Sequence, residues 1–165
     1  MEEREICVEG GDYKFSCAHF VAFKGFREKL HGHNYTVRAR LGGLLGPDGY
    51  VLDFGIVKKA LREACKSLNE GVIIPMKSDV LQIMVTDAGQ VEIITEGGSF
   101  YSIPSEDCKL LPVYHSTAEE LAEYLWHHVA ACIGHDTLVQ RGVKWMEITV
   151  YERPTQGACF KRNFD

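Results

Sequence analysis

The sequence has no run of about eighteen apolar residues, the minimum for a helix that crosses a bilayer. Its start, MEEREICVEGG, is acidic and lacks the apolar stretch that leads secreted chains. A soluble, cytoplasmic protein with no membrane partner is the expectation. The six cysteines (Cys7, Cys17, Cys65, Cys108, Cys132, Cys159) include no CxxC pair. That spacing excludes a cysteine-built zinc ribbon, and the apolar neighbours of several fit reduced, buried thiols rather than a disulfide framework. Basic residues never run longer than two, and the net charge of -5 is spread without blocks. Nucleic acid is therefore not expected as a partner. Repeats, low-complexity tracts and interdomain linkers are also absent, so the 165 residues read as one domain, 1–165, with 45% hydrophobic residues to build its core.

What is present is a clear change of period along the chain. Tyr13, Phe15, Cys17, His19 and Val21 share one parity of a strand, and His31, His33, Tyr35, Val37, Ala39 and Leu41 share one parity of a second. Asp53 then stands as N-cap before the helical stripe Ile56, Val57, Ala60, Leu61, Ala64, Cys65 and Leu68. Beyond Pro75, the short apolar runs Val80 to Thr86, Val91 to Thr95 and Phe100 to Ile103, separated by Gly-containing turns, predict a small β-meander inserted at about 79–112. STAEELAEYLWHHVAACI begins with a capping box, Ser116 or Thr117 with Glu119 or Glu120. It carries the stripe Leu121, Leu125, Trp126, Val129 and Ile133 and should stop at Gly134. A strand over Val143 to Glu152 and a closing strand over Ala158 to Arg162 complete an α+β fold, with helices on one face of an antiparallel sheet.

Residues two apart on a strand point the same way, so His31 and His33 can meet one metal ion. Antiparallel pairing of the two strands brings His19 beside them. Three imidazoles leave a fourth tetrahedral position open, as catalytic zinc requires, although cobalt, nickel or iron accept the same ligands. His127 and His128 are neighbours on a helix and face different ways, with His128 expected toward solvent, so neither is a candidate ligand. Glu152 continues the buried parity of Met146, Ile148 and Val150, so its carboxylate needs a partner. That partner is either a basic side chain or the guanidine-like N–H edge of a ligand such as an aminopyrimidinone.

FSCAHF, LHGHNY, GYVLDF, SLN before IIP, HSTAEELAEYL and ITVYERPTQGA, in this order and over nearly the whole chain, resemble the 6-pyruvoyl-tetrahydropterin synthase family. The resemblance implies the tunnelling fold: a four-stranded antiparallel sheet with two helices on one side, assembled as a homohexamer of two stacked trimers with active sites at subunit interfaces. It also implies Zn2+ on His19, His31 and His33, and a pterin substrate, 7,8-dihydroneopterin triphosphate, anchored by Glu152 with Ser116 or Thr117.

The sequence departs from the family pattern at two places. No cysteine lies between Val21 and His31, where the family's usual base stands; Glu28 precedes His31 by three residues instead. This is similar to a glutamate-for-cysteine subgroup that removes most of the side chain to give 6-hydroxymethyl-7,8-dihydropterin, a folate precursor. A carboxylate suits retro-aldol cleavage better than a full series of C–H abstractions. Otherwise Glu28 simply pairs with Arg27 or Lys29. At the second place, Leu68-Asn69-Glu70 replaces the usual Leu-Asp-His, leaving Glu70 or His115 as alternative proton carriers. Competing readings are a 6-pyruvoyl or 6-carboxy-tetrahydropterin synthase, and a pterin-binding relative without turnover.

Overall fold

The computed structural model describes residues 2–164. In chain order the elements are β1 (Arg4–Val8), β2 (Lys14–His19), β3 (Ala22–Phe23), β4 (Phe26–Arg27), β5 (His31–Gly43), α1 (Phe54–Leu68) and β6 (Gly71–Pro75). There follow β7 (Gln82–Val85), β8 (Gln90–Ile94), β9 (Phe100–Pro104), β10 (Cys108–Leu111), α2 (Ala118–Ile133), α3 (His135–Gln140), β11 (Val143–Arg153) and β12 (Gln156–Asn163). The main sheet runs β10-β6-β2-β5-β11-β12, with β1 also on β5. The expected antiparallel strands β2, β5, β11 and β12 form its centre and one side.

The apolar parities read from the sequence are the ones that face the core. Phe15, Cys17, Tyr35, Val37, Ala39, Leu41, Met146, Ile148 and Val150 face the core, where Val57, Leu61 and Leu68 of α1 and Leu121, Leu125 and Val129 of α2 cover them. Each large apolar side chain buried this way contributes about 1.5–3 kcal/mol, so the stripes hold the helices more than their caps do. Asp53 caps α1 by accepting from Gly55 N–H at 2.6 Å, and Gly134, at φ 93°, ends α2. The opposite sheet face is polar, with Glu147 buried between Arg40 and Arg38.

The structure adds elements that the sequence reading missed. β1 buries only Val8, and β6 is a short apolar run lying parallel to both β2 and β10. The meander β7-β8-β9 is a separate sheet, as expected, but Cys108–Leu111 of the expected insert joins the main sheet as β10. The capping box is not reciprocal. Thr117 accepts from Glu120 N–H, but the Glu120 carboxylate takes the N–H groups of Tyr114 and His115 instead of reaching the cap residue. His127, not His128, is the more exposed of that pair, and His128 lies against Tyr124.

Candidate metal centre

The candidate site forms where the core face of the sheet reaches its end. His19, the last residue of β2, stands directly opposite His31, the first of β5, and His33 stands opposite Cys17. All lie on the parity of Phe15 and Tyr35, whose stacked rings, 4.9 Å apart, form the adjoining row of the core. The imidazoles therefore continue an apolar row with nitrogen donors, their centroids 4.7–5.3 Å apart. Glu152 joins them from β11 at a register break between β11 and β12, spanning Tyr151 and Arg153. An irregularity of this kind re-aims a side chain, and the Glu152 carboxylate reaches to 2.6 Å from His33 Nε2.

Hydrogen bonding fixes two of the three tautomers. His19 Nδ1 lies 2.8 Å from the Ser116 carbonyl, and His31 Nδ1 2.7 Å from the Lys29 carbonyl. A carbonyl only accepts, so both Nδ1 atoms carry the hydrogen and both Nε2 atoms present lone pairs. His31 Nε2 lies 2.9 Å from His33 Nε2, and Tyr35 donates its hydroxyl toward His19 Nε2 at 3.2 Å. Burial holds the His19 pKa below its ordinary value; the Ser116 carbonyl opposes this, and His31 and His33 add to the depression. A neutral imidazole is the form that binds metal. The four donor groups lie within 4.8 Å of one another. That spread brackets the about 3.3 Å that separates ligand atoms around tetrahedral zinc with bonds of 2.0–2.1 Å. The donor set thus fits a divalent metal, and the Nδ1–H···O=C bonds behind it are the usual way a protein orients such ligands.

Glu28 follows β4 and closes the short hairpin. Its N–H donates to the Val21 carbonyl, and its Oε2 accepts from Val21 N–H, both at 2.9 Å. With His19, Thr117, Glu119, Glu152 and Gln156 it lines a cavity of about 210 Å³ that has no cysteine in its wall. The thiol nearest in sequence, Cys17, is buried in the core, which pushes its pKa up to about 12, so it offers no thiolate near neutral pH.

Comparison with known proteins decides the family. The sequence profile described as 6-pyruvoyl tetrahydropterin synthase matches residues 11–163. The chain belongs to the 6-pyruvoyl tetrahydropterin synthase family. It is a lyase of that type in pterin biosynthesis, and its fold is the tunnelling fold. The chain is similar to the crystal structure of the Plasmodium vivax 6-pyruvoyl tetrahydropterin synthase at 45% identity, over 99% of both chains, with a TM-score of 0.96. Two structures of that P. vivax enzyme, with a catalytic glutamate replaced by alanine or by cysteine, match at 44% identity over 99% of both chains, with TM-scores of 0.95 and 0.96. A Methanocaldococcus jannaschii protein, provisionally assigned as a 6-carboxy-5,6,7,8-tetrahydropterin synthase, is 33% identical over 90% of each chain.

The remaining candidates lie at different depths relative to this cavity. Thr117 lines the cavity while capping α2. Ser116 is fully buried, and its hydroxyl donates to the Phe20 carbonyl at 3.0 Å and lies 3.2 Å from His19 Nδ1, which places it behind the imidazole. His115 is held by Glu120, its Nδ1 3.0 Å from the carboxylate, and is not part of the cavity wall. Asn69 and Glu70 staple the end of α1 to β2: Ser16 N–H donates to Asn69 Oδ1 at 2.9 Å, and Glu70 N–H to the Ser16 carbonyl at 2.7 Å. Glu70 has a left-handed backbone, φ 56°, and an exposed side chain on a separate open groove that His33 also borders. The fold brings together His19, His31, His33 and Glu152, with Glu28 and Thr117 on the adjoining cavity, and leaves Glu70 and His115 outside its wall. Sequence reasoning missed Tyr35, whose place on the histidine parity two residues after His33 was its signal.

Proposed function

We propose that this lyase is zinc-dependent and cleaves the side chain of 7,8-dihydroneopterin triphosphate to 6-hydroxymethyl-7,8-dihydropterin, with Glu28 as the acid/base. The observation that carries this reading is the Glu28 carboxylate on the cavity shared by His19 and Glu152, with no cysteine in its wall. The P. vivax enzyme, whose structures with a catalytic glutamate replaced are among those this chain is similar to, supports it.

His19, His31 and His33 would hold the zinc, which when bound supplies Lewis acidity toward the substrate's side-chain hydroxyls. Glu152, at the mouth of the donor cluster, accepts the paired N–H groups of the pterin edge, and Thr117 borders the same space. Glu28 is tethered to Val21 through Oε2, which leaves Oε1 to work on substrate. In retro-aldol cleavage Glu28 takes the proton of the hydroxyl on the second side-chain carbon. The bond between the first and second carbons breaks, and its electron pair passes into the ring C=N. Return of a proton to the first carbon gives the hydroxymethyl group, and the departing fragment is a two-carbon aldehyde that carries the triphosphate. No oxidant or reductant is needed.

The assembly that suits this site is a homohexamer of two trimers. β10 and β12 leave both edges of the main sheet free among the described residues, and closure of three sheets into a barrel would pair them. The 6-carboxy reading favoured by the M. jannaschii relative's name differs in product, so one incubation separates the two. Metal-loaded protein given dihydroneopterin triphosphate should yield the 6-hydroxymethyl product, and Glu28→Gln should lower its rate about 10²–10⁴-fold. A 6-pyruvoyl or 6-carboxy compound as main product, or an unaffected Glu28→Gln variant, would overturn the proposal.

A further inference from the structure

The inserted meander does more than fill space. The β3–β4 hairpin that delivers Glu28 has only two residues in each strand, a size with little stability of its own. Its tip aromatics, Phe23 and Phe26, stack on each other at 4.8 Å and stay half exposed, so they do not fasten it to the core. A cavity of about 380 Å³ separates much of the hairpin from the insert. Ala22 of β3 packs into the apolar cluster of Leu81, Val91 and Ile93, and two polar contacts also join hairpin and insert: the Gly25 N–H donates to the Glu96 carboxylate at 2.9 Å, and Arg27 Nη1 lies 2.7 Å from the Tyr101 hydroxyl.

The second polar contact leads to Glu28. The same Arg27 Nη1 donates to the Glu28 carbonyl at 3.0 Å. The guanidinium lies about 6 Å from the ring centres of both Phe20 and Tyr101, which stack on each other at 5.2 Å. Phe20 is the residue after His19, and its carbonyl is held by Ser116. Tyr101 on β9 therefore grips Arg27, Arg27 grips the Glu28 main chain, and the shared aromatic stack ties this assembly to the strand end that carries His19.

We infer that the insert is a positioning device for Glu28, with Tyr101 and Arg27 as positioning residues that act through it. The inference rests on the reading of Glu28 as acid/base. A reacting group displaced by about 1 Å can lose of the order of a hundredfold in rate, so a loosened grip shows in turnover before it shows in binding.

Tyr101→Phe removes the hydroxyl but keeps the ring stack, so the variant remains folded. The expected result is a roughly tenfold lower kcat with KM for dihydroneopterin triphosphate within about twofold. Metal content should be unchanged, and amide exchange at Val21 and Glu28 should be faster. Arg27→Lys, which loses the fork but keeps the charge, should reproduce the pattern. Wild-type kcat and exchange in Tyr101→Phe, beside a slow Glu28→Gln variant, would overturn the positioning role alone. A Glu28→Gln variant as fast as wild type would overturn the catalytic reading and this inference with it.

Discussion

Replacing Ser116 by alanine tests whether the donor cluster is held from behind as the geometry requires. The residue is fully buried, its hydroxyl donates to the Phe20 carbonyl at 3.0 Å, and its own carbonyl orients His19 at 2.8 Å. The substitution keeps the orienting carbonyl but leaves the Phe20 carbonyl without its donor. An unsatisfied buried group costs about 1–3 kcal/mol. At about 2–4 °C per kcal/mol for a chain of this size, the melting temperature should fall by roughly 2–12 °C. The segment that aims His19 also loses its tie to the strand end, so affinity for the proposed zinc should drop, by up to the about 10–100-fold that follows when a metal ligand loses its supporting bond outright. Competition against a chromophoric chelator measures the affinity, and a thermal melt of the metal-free protein measures the stability. A lower melting temperature with wild-type affinity would refute the argument that the Ser116 hydroxyl supports the ligand from behind.

Three further outcomes follow from the same geometry. With Glu152 as the proposed pterin anchor, Glu152→Gln removes a charge-assisted acceptor of about 1.5–3 kcal/mol, so pterin affinity by calorimetry should fall roughly 10–100-fold. Alkylation of the native protein at mildly alkaline pH should spare Cys17 and Cys65, whose thiols burial pushes up to about 12, and mass spectrometry of the labelled peptides should find both modified only after unfolding. Burial depresses the His19 pKa from its ordinary 6.5, so below that pH the unfolded chain binds a proton that the native state resists. The metal-free protein should therefore lose stability as pH falls through about 6.5, more steeply than His19→Gln, in melts recorded across that range.

The central layers of the fold were legible because their large apolar residues recur with a regular period. β2 and β5 alternate about a single core face, the apolar residues Met146, Ile148 and Val150 of β11 share that face although Glu147 and Thr149 between them are buried on the other, and α1 and α2 carry full apolar stripes. The three histidines could be placed together because the same parity carries them and the loop between β2 and β5 implies antiparallel pairing. The missed strands give no such signal. β1 has one buried residue, and β6 puts Ile73 into the main core and Ile74 into the second cluster, so it reads as a continuous apolar run without alternation. α3 has only six residues, too few to show a stripe.

Within the site, what the sequence could not disclose was long-range contact to main-chain atoms. Ser116 is read naturally as a ligand-facing hydroxyl until the Phe20 carbonyl, 96 positions earlier, is seen to accept from it. Asn69 and Glu70 look like replacements for a proton-transfer pair, yet the Asn69 side chain and the Glu70 amide are spent on Ser16. Arg27 looked like a possible ion-pair partner for Glu28, but its Nη1 donates to the Glu28 carbonyl and pairs with Tyr101 from the insert. Partners drawn from distant strands leave no local pattern.

The most direct test of the account is the identity of the product released from 7,8-dihydroneopterin triphosphate by the zinc-loaded protein, read by mass spectrometry. The account predicts 6-hydroxymethyl-7,8-dihydropterin together with a triphosphorylated two-carbon aldehyde. A pterin that keeps its three-carbon side chain as a 6-pyruvoyl group, or carries a 6-carboxy group, would contradict it.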